Sequence, residues 1–321
     1  MRAYSIFDDF SEEASAILKN AGVELTIHPK GLARPDEAQI QQIIEEYDCV
    51  IIGTSQKMRA DMFQTITSPK VIATASVGLD HISIPDEKRN LVEVFNTPMA
   101  NAQSIAEFTM GVALLCCKRL SEGAMLYMKG KNNKYLSSKP EDLSGKIIGV
   151  IGAGNVSTCI MDYAVFFGMK VLCWTAHPEN HSELRSKGIV FVSLEELVQI
   201  ADVISVNLPN NSDTKGIISK ELVGQMKDNA IFISISRLPI IDFDALLNKA
   251  NKNPNFYVCI DIDVNTEIVK KLNSSMNVIV TPHIGGGTVE TRNRMFKEVA
   301  SKIAEYNLKT SGKYSICTRG V

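Results

Sequence analysis

Short β-branched runs alternate with segments whose apolar residues recur every three to four positions along most of this 321-residue chain. That alternation predicts an α/β protein built on parallel sheets. In the first hundred residues, strands are expected at 3–6, 23–28, 49–52, 71–74 and 92–95. Helices are expected at 11–20, capped by Ser11 and closed by Gly22, at 35–46, and around 59–65. From residue 101 the pattern is helical for about twenty positions, with Ile105, Phe108, Val112, Leu115 and Cys116 on one face. Residues 129–144 are polar and lack apolar periodicity, as a loop or an arm against a partner subunit would. The alternation then resumes. Strands are expected at 147–151, 171–174, 203–207, 230–235, 256–261 and 277–280. Helices are expected at 156–167, after the Ser193-x-x-Glu196 capping box, at 219–226, at 242–251 and at 289–306.

The most informative junction is KIIGVIGAGNVS at 146–157, a buried strand that runs through a glycine turn straight into a helix. Gly152 suits the tight turn, and Gly154 lets a pyrophosphate approach the backbone. The amides of Asn155 and Val156 then lie at a positive helix end. Ser157 replaces the third glycine of this dinucleotide fingerprint, whose role is close helix packing. Thr175 follows the second strand of the same half, where an acidic residue would hold both ribose hydroxyls of NAD. A threonine makes one such bond and does not repel a 2′-phosphate, so NAD and NADP both remain open.

Composition narrows the class. The chain is 45% hydrophobic with a formal net charge of -2, which suits two ordinary domains and offers no basic stripe for nucleic acid. The longest apolar run, 111–117, is too short to span a bilayer, and the N-terminal residues lack a signal-peptide pattern, so no membrane partner and a cytoplasmic location are expected. Seven cysteines, with Cys317 near the end, lie at no framework or ligand spacing. Buried thiols are expected, and no metal.

Ligands of doubly wound sheets bind beyond the carboxyl ends of strands, which draws attention to Arg237 and His283. An arginine can clamp a carboxylate at two points, and a histidine can exchange a proton near neutral pH. By position alone, a single arginine is more often a solvated surface residue and a single histidine a structural one.

With these residues placed, the chain resembles the D-isomer-specific 2-hydroxyacid dehydrogenases over nearly its whole length. SVGLDHIS at 76–83 is similar to that family's substrate loop, NTPMANAQSIAE at 96–107 to its hinge, and LSGKIIGVIGAGNVS at 143–157 to its cofactor entry. MKDNAIFISISRLPIID at 226–242 and TPHIGGGT at 281–288 match the segments that carry its catalytic arginine and histidine. The resemblance implies a Rossmann cofactor domain, 101–287, inserted into a discontinuous flavodoxin-like substrate domain, 1–100 plus 288–321, both doubly wound, and a homodimer. It implies hydride transfer between NAD or NADP and a small 2-oxo or 2-hydroxy acid. Arg237 would bind the carboxylate and carbonyl, and His283 would act as general acid/base. Val77, Gly78 and Asn101 fall in the substrate segments. Asn207, Pro209, Asp261 and Gly285 are assigned to the cofactor, together with Gly152, Gly154, Asn155, Val156 and Thr175.

Departures test that reading. The family's glutamate that bonds the histidine falls on Thr266, so Glu267, one residue late, is expected in its role. Leu238 follows the arginine in place of glycine, Ser234 replaces an asparagine, and Asn207 stands where many members have histidine. No arginine lies beside Gly53, where a phosphoglycerate-using relative has one, although Lys57 and Arg59 are close by. These changes leave two alternatives to a simple reductase: a dinucleotide-binding regulator or scaffold with little turnover, and a dehydrogenase for a larger acid.

Overall fold

The computed structural model describes residues 1–272 and 277–311, and Cys317 lies outside them. The chain divides into two compact units, Met1–Asn101 with Val289–Val321, and Ala102–Thr288.

The first unit opens with β1 (Arg2–Ser5), α1 (Glu12–Asn20), β2 (Glu24–Ile27), α2 (Glu37–Glu46), β3 (Cys49–Ile52), β4 (Lys70–Thr74) and β5 (Val92–Phe95). Ser11 caps α1 by accepting from the Ala14 amide, and Asp36 and Gln39 form a full capping box on α2. The helix expected around 59–65 shrinks to a 3-10 turn over Ala60–Phe63. Met62 and Phe63 of that turn are anchored in the core. Beyond them Thr65, Ile66 and Thr67 are β-branched and Pro69 follows, which disfavours another helical turn.

The second unit begins with α3 (Ala102–Cys117) and α4 (Leu120–Met128). The expected single helical run breaks between them at Arg119, which takes a left-handed φ of 54°. Its buried guanidinium pays for that conformation by donating to Glu122 Oε2 (2.8 Å) and Tyr257 Oη (3.2 Å), with Asn255 as a further partner. Then come β6 (Ile147–Ile151), α5 (Asn155–Phe166), β7 (Lys170–Trp174), α6 (Ser182–Ser186), β8 (Val190–Phe191), α7 (Leu194–Ile200) and β9 (Val203–Val206). They are followed by α8 (Lys220–Gln225), β10 (Ile231–Ser234), α9 (Phe243–Lys252), β11 (Tyr257–Asp261), α10 (Thr266–Lys271) and β12 (Val278–Thr281). Three of these, α6, β8 and α10, are too short to show a period in the sequence. The chain closes with α11 (Val289–Thr310), which returns Phe296, Val299 and Ile303 to the first unit's core.

All strand pairings among the described residues are parallel. The first sheet runs β2-β1-β3-β4-β5, the flavodoxin-like order. The second runs β12-β11-β10-β9-β6-β7-β8, the doubly wound order of a Rossmann sheet with one strand added. Both sheets are therefore of the expected class. β6 is an interior strand between β9 and β7, and its Gly149 leaves no room for a side chain: a Cβ there would stand 2.3 Å from Leu197 of α7.

Ser157 is fully buried on α5, and its Oγ has no hydrogen-bond partner. An orphaned buried hydroxyl costs about 1–3 kcal/mol. Ser157→Ala should therefore stabilise the protein by about 1 kcal/mol in urea denaturation, and a loss of stability would show that the hydroxyl is satisfied.

Candidate active site

The order of the second sheet reverses between β6 and β9, and the glycine turn sits there. Gly152 has φ of 104°, and a Cβ on it would meet the Asn207 carbonyl oxygen at 2.8 Å. Only glycine fits both the angle and the approach. A Cβ on Gly154, by contrast, would meet nothing within 4 Å. Gly154 is the N-cap of α5 and supplies no side-chain cap, so the helix end is left open to an anion. These features fit a pyrophosphate over Gly154, Asn155 and Val156. They also separate the two glycines experimentally. Gly154→Val should fold and melt normally but weaken NADH binding by about tenfold or more in a fluorescence titration, whereas Gly152→Val should destabilise the fold itself.

Thr175 follows β7 and is half-buried. Asn207 turns its side chain back onto Ser205 Oγ (3.1 Å), and the Pro209 carbonyl accepts from Thr214 Oγ1 (2.5 Å). Ser236, buried beside Arg237, accepts from the Leu208 amide (2.9 Å) and so ties this loop to the end of β10.

Arg237 and His283 come together at the carboxyl ends of β10 and β12. Arg237 Nη1 lies 3.2 Å from His283 Nδ1, and both side chains are about half exposed. A third group joins them. Asp263 places Oδ2 3.1 Å from Arg237 Nη1 and Oδ1 3.1 Å from His283 Nδ1. Of the two neighbours of Nδ1, only the carboxylate accepts a proton from it. The pairing that leaves Nε2 for chemistry is thus Nδ1–H donating to Asp263.

Glu267, expected on His283, is elsewhere. Asn265 caps α10 and accepts from the Glu267 amide, which puts Glu267 in the first helical turn. Its carboxylate there pairs with Lys270 Nζ at 2.7 Å along the same helix. Asp263 was open to the same rule that picked out Arg237, since it lies two residues beyond Asp261 at a strand's carboxyl end.

Asp261 also differs from its expected cofactor contact. It is buried, and both carboxylate oxygens are used within the protein. Oδ1 accepts from Thr281 Oγ1 (2.5 Å) and the Ile284 amide (2.8 Å), and Oδ2 from the Gly285 amide (2.7 Å). His283 takes φ of 55°, an uncommon conformation for a side-chain-bearing residue, and that bend aims the next two amides at Asp261. Gly285 is required for the fit, because a Cβ would stand 2.9 Å from Asp261 Oδ2 and 3.2 Å from Phe108.

In the first unit, the loop after β4 is held from within. Ser76 Oγ donates to the Gly78 carbonyl (2.8 Å), and Asn96 Nδ2 donates to the Val77 carbonyl (2.7 Å). Thr74 Oγ1 meets both Ser76 Oγ (2.8 Å) and His81 Nε2 (2.9 Å). Burial lowers the His81 pKa against the opposing pull of Asp80, favouring a neutral ring at this contact. Asn101 Oδ1 is buried without a partner.

Known proteins match this chain over most of its length. Residues 110–285, more than half of the chain, match the model for the D-isomer specific 2-hydroxyacid dehydrogenase NAD binding domain. A hydroxypyruvate reductase of Thermotoga maritima is 32% identical over 92% of this chain and 95% of its own length. A glyoxylate reductase of Thermofilum pendens is 27% identical over 87% of this chain and 84% of its own. Among solved structures, D-lactate dehydrogenase of Aquifex aeolicus, complexed with NAD and lactic acid, superimposes with a TM-score of 0.76 at 25% identity, covering 98% of this chain and 97% of that one.

Proposed function

Because this chain belongs to the D-isomer specific 2-hydroxyacid dehydrogenase family, we propose that Arg237 and His283 are its catalytic pair and that Asp263 orients the histidine. The protein is a nicotinamide-dependent oxidoreductase that interconverts a 2-oxo acid and a 2-hydroxy acid. The observation that carries the site assignment is the Asp263–His283–Arg237 cluster at the strand ends.

A nicotinamide cofactor held at Gly154, Asn155 and Val156 would supply the hydride in reduction and accept it in oxidation. Arg237 neutralises the substrate carboxylate and polarises the 2-oxo group. His283 delivers its Nε2 proton to the developing alkoxide and recovers it in the reverse direction. Asp263 keeps the proton on Nδ1 and steadies the imidazolium. The amides of Val77 and Gly78 are further receivers for the carboxylate, a role supported by the internal bracing of their loop.

The test is loss of NADH or NADPH absorbance with a panel of 2-oxo acids, run beside His283→Ala. Turnover that survives the substitution would refute the catalytic assignment. Tight dinucleotide binding with no turnover on any acid would favour the regulator or scaffold instead.

We also propose a cytoplasmic homodimer. No helix among the described residues is long and apolar enough to cross a membrane, and the six described cysteines are free thiols. On α4 only Glu122 is buried, while Leu120, Tyr127 and Met128 are exposed and Tyr135 follows in the adjoining arm. An apolar face of this size favours a second copy of the chain. Sedimentation as a monomer at micromolar concentration would overturn that assembly.

A further inference from the structure

The second sheet has two ends, and the reaction above uses only one. At the other end, Lys146 and Asp202 directly precede β6 and β9, and Tyr257 opens β11. All three line a cavity of about 120 Å³, together with Asn255, Arg119 at the break between α3 and α4, and Lys139 of the arm at 129–144. The five residues of β6 separate it from the glycine turn by roughly 17 Å. Its volume suits one small ion or molecule, since a cavity of about 150 Å³ holds a single benzene.

The carboxylates around this cavity are already matched. Glu141 of the arm pairs with Lys146, and Asp202 accepts from Lys227 Nζ (2.8 Å) and the Ile147 amide (2.8 Å). Arg119 is matched by Glu122. Several donors have no such answer. The Tyr257 hydroxyl, more than nine-tenths buried, accepts from Arg119 Nη1, but its own proton meets no acceptor among the described residues. Burial, against the pull of Arg119, raises the Tyr257 pKa and keeps that proton in place. Asn255 Oδ1 accepts from Arg119, which fixes the amide's orientation and leaves Nδ2 without an acceptor among the described residues. Lys139 is exposed and has no carboxylate partner among them. Two neutral donors and one unmatched ammonium thus share the cavity with no unmatched carboxylate.

We propose that this cavity binds a small oxyanion, held by the Tyr257 hydroxyl, Asn255 Nδ2 and Lys139 Nζ, and that the bound ion fastens the arm to the sheet. An oxyanion accepts from all three donors at once and supplies the charge that Lys139 lacks. Arg119 already donates to Ser137 of the arm, so the ion adds to an existing contact between the same two segments. Neither the dinucleotide nor the acid substrate takes part.

The experiment titrates the NADH-saturated protein with sodium phosphate, sulfate and formate by calorimetry, against sodium chloride at equal ionic strength. NADH keeps these ions from the glycine turn. Saturable binding of at least one of the three is expected, and the tightest identifies a tetrahedral or a planar ligand. Tyr257→Phe, which removes only the hydroxyl, should weaken that binding by about tenfold, and Lys139→Gln by about threefold. At a saturating ion concentration, trypsin cleavage after Lys129, Lys131 and Lys134 should slow in the wild type and slow less in Tyr257→Phe. Thermal melts establish that the variants are folded. Lys139 is exposed, so Lys139→Gln decides the matter if Tyr257→Phe does not fold. Equal affinity in the wild type and the folded variants would put the ion elsewhere and overturn the proposal, as would no binding of any of the three ions.

Discussion

Replacing His283 by alanine should lower kcat by about 10²–10⁴-fold, the usual worth of a positioned general acid. NADH binding, read by fluorescence titration, should be nearly unchanged, because the glycine turn and α5 do not depend on the imidazole. The argument rests on Nε2. With Nδ1 committed to Asp263 at 3.1 Å, it is the only ring nitrogen left to give a proton to substrate. Asp263→Asn should fall in between, losing about tenfold or less, since the side chain is largely exposed and water can replace part of the interaction. Glu267→Gln should leave kcat unchanged, because that carboxylate serves Lys270. Equal losses in the Asp263 and Glu267 variants would contradict this division of roles.

Removing the Asp261 carboxylate should damage stability and catalysis together. Asp261→Ala leaves the amides of Ile284 and Gly285 without their acceptor, and Thr281 loses its own. A buried donor left unsatisfied costs about 1–3 kcal/mol, and of the three bonds lost the one from Gly285 is buried and the other two partly so, which puts the expected loss at roughly 3–5 kcal/mol. For a unit of this size that corresponds to a fall in Tm of roughly 6–20 °C. The left-handed backbone at His283 costs about 1–2 kcal/mol and persists because the carboxylate holds the next two residues. Without that anchor the imidazole is no longer aimed, and kcat should fall even at temperatures where the variant is folded. Asp261→Asn keeps one acceptor oxygen but turns an amide donor toward another donor, which places it between alanine and wild type in both measurements. An unchanged melting temperature in Asp261→Ala would show that water replaces the carboxylate.

The sequence revealed the parts of this site that follow a rule of position. Gly152 and Gly154 are recognisable because a buried strand, a glycine turn and a helix follow one another without interruption. Arg237 and His283 are recognisable because each follows a strand. The histidine's partner was not recognisable through register alone: counting along the chain points to Thr266 and Glu267, whereas the Asn265 cap starts α10 early and turns Glu267 along the helix. Asp263, still in the loop, is left facing the histidine. The family resemblance assigns Asp261 to the cofactor, and only the hydrogen bonds show that the protein itself uses both oxygens. β8, with two residues, falls below the length at which hydrophobic alternation is visible.

The return of α11 to the first unit has a consequence for biosynthesis. Phe296, Val299, Ala300, Ile303 and Ala304 complete a core whose other buried members lie before residue 93, so about two hundred intervening residues must be synthesised before that core can close. The second unit, Ala102–Thr288, is continuous in sequence and is wholly synthesised while α11 is still in the ribosome. During translation the first unit must wait with part of its apolar face open, and chaperones would engage it there. Pulse proteolysis of stalled nascent chains ending near residue 320 should find residues 102–288 protected and residues 1–101 still cleavable, and the reverse order would contradict it.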